Sequence, residues 1–353
     1  MKLSPSPAPH IRHSQTTRGV MGDAITALFF LYGIAFYLHG PRALTLGAAS
    51  VLVCLACDIL CNLIYNKRHN LRDNSSIVTG MILPLMMPVS ISYSIVIIAG
   101  VFAIFVAKHP FGGTGHNVFN PAAAGFSFVA ISFGRVLFTY PLHGSNLPMF
   151  GEFEFTAAAS PAFTLGIGGI PPYNTMELLL GNYPGPMGAT NILVLTACLL
   201  YLVFRGTVRW SAPVAFISTV ALLALAFPRS PATGFASVAY ELSAGLLLFG
   251  GIFLLGDPVT TPKREMAKVS FCITAGIVVM LFRHFGRKEE GITFSLLLMN
   301  AAVWGFDMVG ERVASKIRRR KFAAIKDKKA EKKAKTRMAR VAAGQEPGTG
   351  DGA

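Results

Sequence analysis

Long apolar intervals, separated by short charged or proline-containing connections, run along the chain from about residue 21 to residue 310. A helix needs about 20 mostly apolar residues to cross the hydrocarbon core, so these intervals predict an all-α polytopic membrane protein. We expect ten spans, at residues 21–38, 44–65, 76–88, 91–108, 119–138, 191–205, 212–227, 239–256, 268–284 and 293–310. Pro84 and Pro88 interrupt the third interval, which predicts a short, broken helix that protein or a cavity must shield from lipid.

A proline-rich connection divides the ten spans into two sets of five. The expected units are a first repeat at residues 21–138, an extracytoplasmic loop at 139–189 and a second repeat at 190–310. Because the two sets then enter the membrane from opposite faces, they meet the condition for an inverted repeat. One internal sequence similarity supports the inverted repeat. Residues 120–126 and 300–306, offset by 180 positions, are identical at four of seven positions, namely Asn, Ala, Gly and Phe.

Composition agrees with the membrane assignment. Hydrophobic residues make up 52% of the chain, charged residues 14%, and the mean hydropathy is +0.52. Ordinary soluble domains carry about 25% charged residues. This composition argues against a soluble enzyme and excludes a disordered main body.

Basic charge is concentrated at the C-terminus, where residues 312–353 hold 14 of the 32 Lys and Arg. Cytoplasmic segments carry an excess of these residues, so we expect the tail at 311–353 to be cytoplasmic. Ten spans then place the N-terminal segment, residues 1–20, on the same side. The tail is expected to contact anionic lipid or to dock a partner subunit, and no nucleic-acid partner is predicted.

A glycine-rich motif at residues 111–121 brings Gly112, Gly113, Asn117 and Asn120 to the end of the fourth span. Glycine permits close approach of the backbone to a ligand, and asparagine both donates and accepts hydrogen bonds. The motif could therefore line a cofactor or ion cavity. It could equally be a cytoplasmic connection that only needs tight turns.

A companion motif at residues 73–80 places hydroxyl groups at the mouth of the short third helix. Its candidate ligand-binding residues are Ser76, Thr79 and Gly80. The alternative is a simple helix cap, in which Asn74 or Ser75 satisfies free backbone amides.

Thr190 follows Gly188 and Ala189 at the point where the proline-rich loop ends and an apolar run begins. Helix N-termini favour phosphate, and the two small residues leave the threonine hydroxyl unobstructed. A phosphorylated group could be attached or bound there. The simpler alternative is that Thr190 is the N-cap of the next helix.

Acidic residues inside hydrocarbon are costly, so they are candidates for ion transfer. Asp58, Asp257 and Asp307 are the candidate ion-pathway residues, and Glu241 also lies within a predicted span. Asp257 could instead cap the break made by Pro258, and Asp307 could reach the membrane interface.

Cys54, Cys57 and Cys61 share one face of the second predicted helix. They could ligate a metal, but no histidine lies on that face, so we favour packing and predict no metal site.

Several motifs occur in an order and spacing that resembles one family of membrane proteins. They are Ala8–Ile11, Ser76–Gly80, Lys108–Gly115, Asn117–Ala122, Gly188–Thr190, Asp257–Thr260, Glu290–Phe294 and Leu298–Ala301. Over about residues 8–310 the chain is similar to the D subunit of the Rnf ion-translocating electron-transport complex. The B subunit of the sodium-pumping NADH:quinone oxidoreductase belongs to the same family.

The resemblance implies a multi-pass subunit of the bacterial inner (cytoplasmic) membrane that carries FMN. A flavin transferase would join the FMN through its phosphate to Thr190, and a second flavin, riboflavin, would occupy a pocket formed by the Gly, Asn and Ser motifs. Partner subunits would carry iron–sulfur clusters and flavins. The chain would couple electron transfer of the ferredoxin/NAD type to Na+ or H+ translocation and would not be catalytic alone. One departure is Met187, which stands where the family usually has a hydroxyl residue.

A competing hypothesis from the residues themselves is a channel-like or secondary transporter with a solute site at the membrane midplane and no flavin. Bound flavin discriminates between the two functions.

Overall fold

The computed structural model describes residues 16–65, 74–113, 115–145, 147–151, 153–232, 234–286 and 289–342. Predictions that concern residues 1–15, the basic connection at 66–73 and the end of the tail at 343–353 lie outside the described residues. The helices are α1 (Thr17–His39), α2 (Arg42–Ile64), α3 (Ser75–Leu85), α4 (Tyr93–Phe102), α5 (Pro121–Ser132), α6 (Gly134–Leu137), α7 (Pro161–Gly166), α8 (Thr175–Leu180), α9 (Ile192–Phe204), α10 (Ser211–Ala226), α11 (Phe235–Ser243), α12 (Leu247–Phe249), α13 (Glu265–Phe285) and α14 (Ile292–Ala342). Two π-helical segments, Ala103–Lys108 and Gly250–Leu254, extend α4 and α12.

Each of the ten predicted intervals contains an apolar helix. Four helices are long and apolar enough to cross a membrane, namely α1, α2, α13 and the Ile292–Lys316 part of α14. A fifth candidate consists of α11 and α12 with its π-helical extension, bent by 72° at its break, and the remaining apolar helices are shorter. The polytopic membrane architecture is therefore confirmed, whereas ten complete spans and the inverted repeat remain predictions.

The loop at 139–189 contains regular structure. Strands β1 (Tyr140–Pro141) and β2 (Ala157–Ala158) pair antiparallel, with Tyr140 opposite Ala158. Helices α7 and α8 follow within the same loop. This small hairpin departs from the all-α prediction.

The first broken helix lies where proline predicts it. Pro84 lies in the last turn of α3, and the chain leaves helical conformation before α4 begins at Tyr93. The buried guanidinium of Arg42 satisfies this unwound segment, donating to the carbonyls of Val89 at 2.9 Å and Ile91 at 3.1 Å. Non-helical backbone at membrane depth needs such partners, because lipid offers none. The predicted short helix at 76–88 is thus confirmed.

A second break divides the interval 239–256, which the apolar pattern predicts to be continuous. Between α11 and α12 the chain turns at Gly245, whose φ of +62° suits glycine. Arg283 donates to the carbonyls of Glu241 at 2.9 Å and Ala244 at 2.7 Å. Glu290 accepts from the Leu246 N–H at 2.8 Å. The two breaks are therefore supported in the same way, each by a buried arginine.

The helices of the two halves have similar neighbours. In the first half α2 packs on α3 and α4, and α4 packs on α5; in the second half α10 packs on α11 and α13, and α13 packs on α14. Between the halves, α1 packs on α9 and α5 packs on α14. Fully buried side chains, among them Leu83, Phe126, Phe216 and Phe271, form one core across these contacts. Many large apolar side chains on the outer helix faces are exposed, as a lipid-facing surface requires.

Candidate functional site

A cleft lies between the two halves, at the end of the molecule where α1 and α3 begin and α9 ends. Its cavity volume is about 80 Å³. Its polar lining includes Thr79, Lys108, Asn117, Asn120 and Asp257, and its apolar lining includes Ile252 and Phe253. Four predicted residues from three separate sequence motifs, Thr79, Asn117, Asn120 and Asp257, therefore meet in one cavity.

Asn120 joins the two halves at this cleft. Its side-chain oxygen caps α5 by accepting from the Ala123 N–H at 3.2 Å, and its amide nitrogen donates to Asp257 at 3.3 Å. With its amide oriented to satisfy both atoms, Asn300 accepts from the Asn120 N–H at 2.9 Å and donates to the Thr260 carbonyl at 3.1 Å. The two asparagines that the sequence relates by an offset of 180 are thus in direct contact.

Asp257 follows the second π-helical segment and is half-buried beside the cleft. Its carboxylate accepts from the Val259 N–H and the Thr260 hydroxyl, each at 3.0 Å. Desolvation raises the pKa of Asp257 above its ordinary value, because less water solvates the charge. Asp257 therefore both organises its loop, as a cap would, and faces the cleft.

Asp58 lies near the end of α2, in a buried ion cluster behind the cleft. The Lys108 ammonium donates to Asp58 at 3.0 Å and to the Ser76 hydroxyl at 2.6 Å. The His109 ring nitrogen lies 2.7 Å from the same carboxylate oxygen. Lys108 is only 2% exposed and also borders the cleft. The cluster therefore connects Asp58 and Ser76 to the cavity through Lys108.

Lys108 was not predicted as a site residue from the sequence. It is the single charged residue between positions 74 and 134, and a lone charge in an apolar stretch is the signal that could have identified it.

Three glycine positions predicted as ligand-binding have structural roles. Gly112 and Gly113, with φ of +116° and +90°, form the turn after the π-helical end of α4. Gly113 closes that turn by donating to the Lys108 carbonyl at 3.2 Å. A Cβ on Gly80 would lie 2.7 Å from the Val51 Cα, so glycine lets α3 approach α2. These residues are not part of the cleft lining, and Asn74 occupies the cap position of α3 without a capping side-chain bond to the described residues.

Asp307 lies apart from the cleft, on α14. Its carboxylate accepts from the Lys263 N–H at 3.1 Å, so it holds the connection that follows Asp257. Glu241 lies toward the other end of the molecule, paired with Arg229 and Arg283.

Thr190 lies between the two helix breaks. The Gly188 N–H donates to the Leu85 carbonyl at 2.8 Å, and the Met187 N–H donates to the Met87 carbonyl at 3.0 Å. On the other side, the Tyr183 hydroxyl lies 3.0 Å from the Thr190 carbonyl and 2.7 Å from the Ser243 carbonyl. The segment before α9 therefore contacts the end of α3 and the end of α11 together.

The Thr190 side chain is only 1% exposed, and its hydroxyl has no hydrogen-bond partner among the described residues. Asn191 caps α9 by accepting from the Val194 N–H at 2.9 Å, so the hypothesis that Thr190 is the N-cap is wrong. A Cβ on Gly181 would lie 3.0 Å from the Thr190 hydroxyl oxygen. The hydroxyl is thus an unsatisfied buried group whose neighbour must be small.

The cysteines are buried free thiols. Cys54, Cys57 and Cys61 all lie in the core cluster. Within the parts of the chain that the structure describes, no group of three or more His, Cys, Asp or Glu side chains could hold a metal ion.

Comparisons with known proteins identify relatives along most of the chain. The family described as NQR2, RnfD, RnfE matches residues 4–315. The D subunit of the Na(+)-translocating ferredoxin:NAD(+) oxidoreductase complex from Acetobacterium woodii is 30% identical over 306 residues, which cover 86% of this chain and 92% of that protein. The D subunit of the proton-translocating ferredoxin:NAD(+) oxidoreductase complex from Clostridium ljungdahlii is 28% identical over 308 residues, covering 84% and 91%. The chain therefore belongs to the NQR2, RnfD, RnfE family.

Proposed function

We propose that this chain is the D-type membrane subunit of an Rnf-type complex, in which electron transfer between ferredoxin and NAD drives Na+ or H+ across the membrane. The observation that carries the proposal is the buried Thr190 hydroxyl, which lies without a described partner between two helix breaks. The names of the full-length relatives support the same function. The chain acts with iron–sulfur and flavin subunits and is not catalytic alone.

Thr190 is the proposed attachment point for FMN, through a phosphodiester to its hydroxyl. The hydroxyl suits the group because it is a buried atom without a described hydrogen-bond partner, and the residue packed against it at 181 is a glycine. When bound there, FMN supplies one- and two-electron chemistry. Tyr183 holds the backbone at Thr190 through its contact with the Thr190 carbonyl.

Attachment by a flavin transferase requires the segment around Thr190 to open. Since the hydroxyl is buried, the contacts of Met187 and Gly188 with the end of α3 and the Tyr183 contact with Ser243 must break first. We therefore expect the transferase to act on an open form of this segment.

The cleft is the proposed pocket for riboflavin. The cavity itself holds about 80 Å³, below the range of cofactor pockets, about 300–1,000 Å³, so the two halves must move apart for a flavin ring to enter. Apolar side chains cover most of its wall, and Thr79, Asn117 and Asn120 offer donors and acceptors to a flavin ring.

Asp58, Asp257 and Asp307 are the proposed ion-pathway residues. Asp58 lies near the end of α2 and already balances one buried cation, Lys108. Asp257 faces the cleft, and Asp307 holds the connection that follows Asp257. The basic end of α14 is proposed to contact anionic lipid on the side of the membrane where the cleft lies.

The alternative function is a channel-like or secondary transporter without flavin. The two helix breaks that meet beside Thr190 favour it, because discontinuous helices line the solute sites of many transporters.

In-gel ultraviolet fluorescence of the denatured chain tests the proposal and the alternative together. The chain is co-expressed with a flavin transferase, beside Thr190→Ala and the matched control Thr196→Ala, whose side chain is exposed one turn into α9. We expect a fluorescent band near 37.8 kDa for the wild type and for Thr196→Ala only. A wild-type chain without fluorescence, while the transferase modifies another substrate, contradicts covalent FMN and favours the transporter.

Asp58→Asn tests the ion pathway. Because a neutral amide neither attracts a cation nor balances Lys108, we expect ion uptake by the reconstituted complex to fall while covalent flavin content stays at the wild-type level. The control is Glu311→Gln, an exposed carboxylate beyond the cleft. Equal uptake by Asp58→Asn and the wild type removes Asp58 from the pathway.

A further inference from the structure

A cluster of buried charges lies at the end of the molecule that carries the 139–189 loop, beside the second helix break. It consists of Arg229, Glu241, Arg283, Glu289 and Glu290, contributed by α11, α13 and the connections around them. Arg283 is 0% exposed and Glu290 is 1% exposed. None of these residues lines the cleft.

Glu241 accepts hydrogen bonds from both arginines. Arg229 contacts it through Nε and, at 2.9 Å, through Nη2. Arg283 donates from Nη1 to the Glu241 carboxylate at 2.9 Å and from Nη2 to the Ala244 carbonyl at 2.7 Å. The closest ion-pair contact to Glu290, from Arg283 Nη2 at 4.0 Å, is too long for a hydrogen bond.

Glu290 is therefore only half satisfied. Oε1 accepts from the Leu246 N–H at 2.8 Å, but Oε2 has no hydrogen-bond partner in the described residues. The Arg283 Nε is also buried without a described partner. A buried ionised oxygen without a donor is costly, so the site favours a neutral carboxyl.

Glu289 connects this carboxyl to the surface of the loop. It is partly exposed and accepts a hydrogen bond from the Ser160 hydroxyl at 2.7 Å, at the start of α7. The pKa of both Glu289 and Glu290 is raised to about 7, chiefly by burial, and the charge of Glu289 contributes to the rise at Glu290. Both residues lie in the connection between α13 and α14.

We propose that Glu290 is a proton-binding site at the second helix break, loaded from water through Glu289. One proton adds to Oε2 and converts the carboxylate, with charge −1, into a neutral acid, while Oε1 keeps its hydrogen bond to Leu246. Arg229 and Arg283 repel a metal cation and also lower the pKa of Glu290, but burial outweighs them for the proton, because protonation removes the buried charge. The other titratable groups that face the pair are Glu241, Tyr140 and Tyr183.

Tyr183 connects the proton site with Thr190. The Tyr183 hydroxyl contacts the Ser243 carbonyl, three residues before the Leu246 amide that Glu290 holds. Protonation of Glu290 changes the charge at this break and so acts on the segment that contacts Thr190. The inference goes beyond the proposed function, because Glu289 and Glu290 neither bind the flavin nor line the cleft.

Infrared difference spectra of the full chain in lipid, recorded across about pH 5 to 9, test the proposal. The carbonyl stretch of a protonated carboxylic acid reports the acid form without any flavin or transport activity. We expect a component with a midpoint near pH 7 whose ratio of acid to carboxylate changes about tenfold per pH unit. Glu290→Gln, which keeps the acceptor for Leu246, should lose the part of this component that Glu290 contributes and keep only the part from Glu289.

Three further variants complete the test. Glu289→Gln should keep the component with a lower midpoint, because a negative neighbour is lost. Glu311→Gln and Thr190→Ala should match the wild type, so the proton site can stand even if covalent FMN is absent. The proposal is overturned if Glu290→Gln retains the component at its wild-type amplitude. If Glu290→Gln does not accumulate, Glu289→Gln decides, and an unchanged midpoint overturns the proposal.

Discussion

At the residue scale, the environment of Thr190 depends on single atoms. Its hydroxyl is buried because the backbone of Met187 and Gly188 pairs with the residues that follow α3, and this pairing needs a residue without a side chain at 188. A Cβ there would lie 2.6 Å from the Leu85 Cβ and 3.1 Å from the Leu85 carbonyl oxygen. Glycine is therefore required by a close approach of two backbones.

We expect Gly188→Ala to lower the unfolding free energy by about 1–3 kcal/mol, since inserting a methyl group into a filled site displaces the backbone. The measurement is thermal unfolding of the detergent-solubilised chain. Gly33→Ala in α1 is the matched control, because its Cβ would meet no described atom within 4 Å. Equal unfolding midpoints for the two variants would contradict the close approach.

Tyr183→Phe removes the hydroxyl that contacts the Thr190 and Ser243 carbonyls. We expect a loss of about 1 kcal/mol in stability and faster FMN attachment to the folded chain, because the closed segment loses one of its contacts. The rate of covalent labelling by purified transferase measures this. Tyr173→Phe, whose more exposed hydroxyl is 3.4 Å from the Ala159 carbonyl, is the control. A slower rate for Tyr183→Phe would show that the hydroxyl does not hold the segment closed.

At the scale of elements, the broken helices depend on buried arginines more than on local sequence. Pro84 and Pro88 signal the first break directly, because proline removes a backbone donor. The second break lies in a leucine-rich stretch at Gly245, and a glycine inside an apolar run is a weak signal, since Gly250 and Gly251 of the same stretch stay helical. Its conformation depends on Arg283 and Glu290, which are 38 and 45 residues further along the chain.

Arg42→Lys tests the support of the first break. Arg42 donates to the carbonyls of Val89, Ile91 and Pro148, and its guanidinium lies 4.4 Å from the Phe153 ring centre. The ammonium of lysine cannot donate to all these carbonyls at once as the planar guanidinium does. We therefore expect the free energy of unfolding to fall by about 2 kcal/mol or more. Thermal unfolding with Arg135→Lys, at an exposed position, provides the comparison. Equal stability would mean that the unwound carbonyls find other partners.

At the scale of the whole molecule, stability and pH are linked through the carboxyls that folding buries. The folded pKa of Glu290 is about 7, above its ordinary value of 4.5, so the folded state binds the proton more tightly than the unfolded state. The stabilisation that the Glu290 proton gives to the folded state is complete below about pH 4.5 and is lost as the pH rises to about 7. Above that pH, Glu290 adds no further pH dependence to the free energy of unfolding.

Glu290→Gln should therefore reduce the pH dependence of the unfolding midpoint between about pH 4.5 and 7. The measurement is a thermal scan series of wild type and variant in the same detergent, with Glu311→Gln as the reference. Parallel curves for the wild type and Glu290→Gln would show that Glu290 has the same pKa in both states.

Much of the architecture follows from the sequence by itself. Charge-free intervals locate the helices, because hydrocarbon excludes charge and a helix satisfies its own backbone. The motifs around Thr79, Asn117, Asn120 and Asp257 identify most of the polar cleft lining, and the family resemblance is confirmed. These features are local, or they repeat along the chain in a recognisable order.

Only the tertiary structure decided which polar groups act together. In the folded chain Asp58 pairs with Lys108, and Asn120 contacts Asp257 and Asn300. Thr190 lies buried between two helix breaks, and one oxygen of Glu290 has no described partner. The physical reason is that burial and hydrogen bonding depend on neighbours far apart in the chain. Periodicity and composition record which residues are present, whereas the free energy of a buried charge depends on what surrounds it.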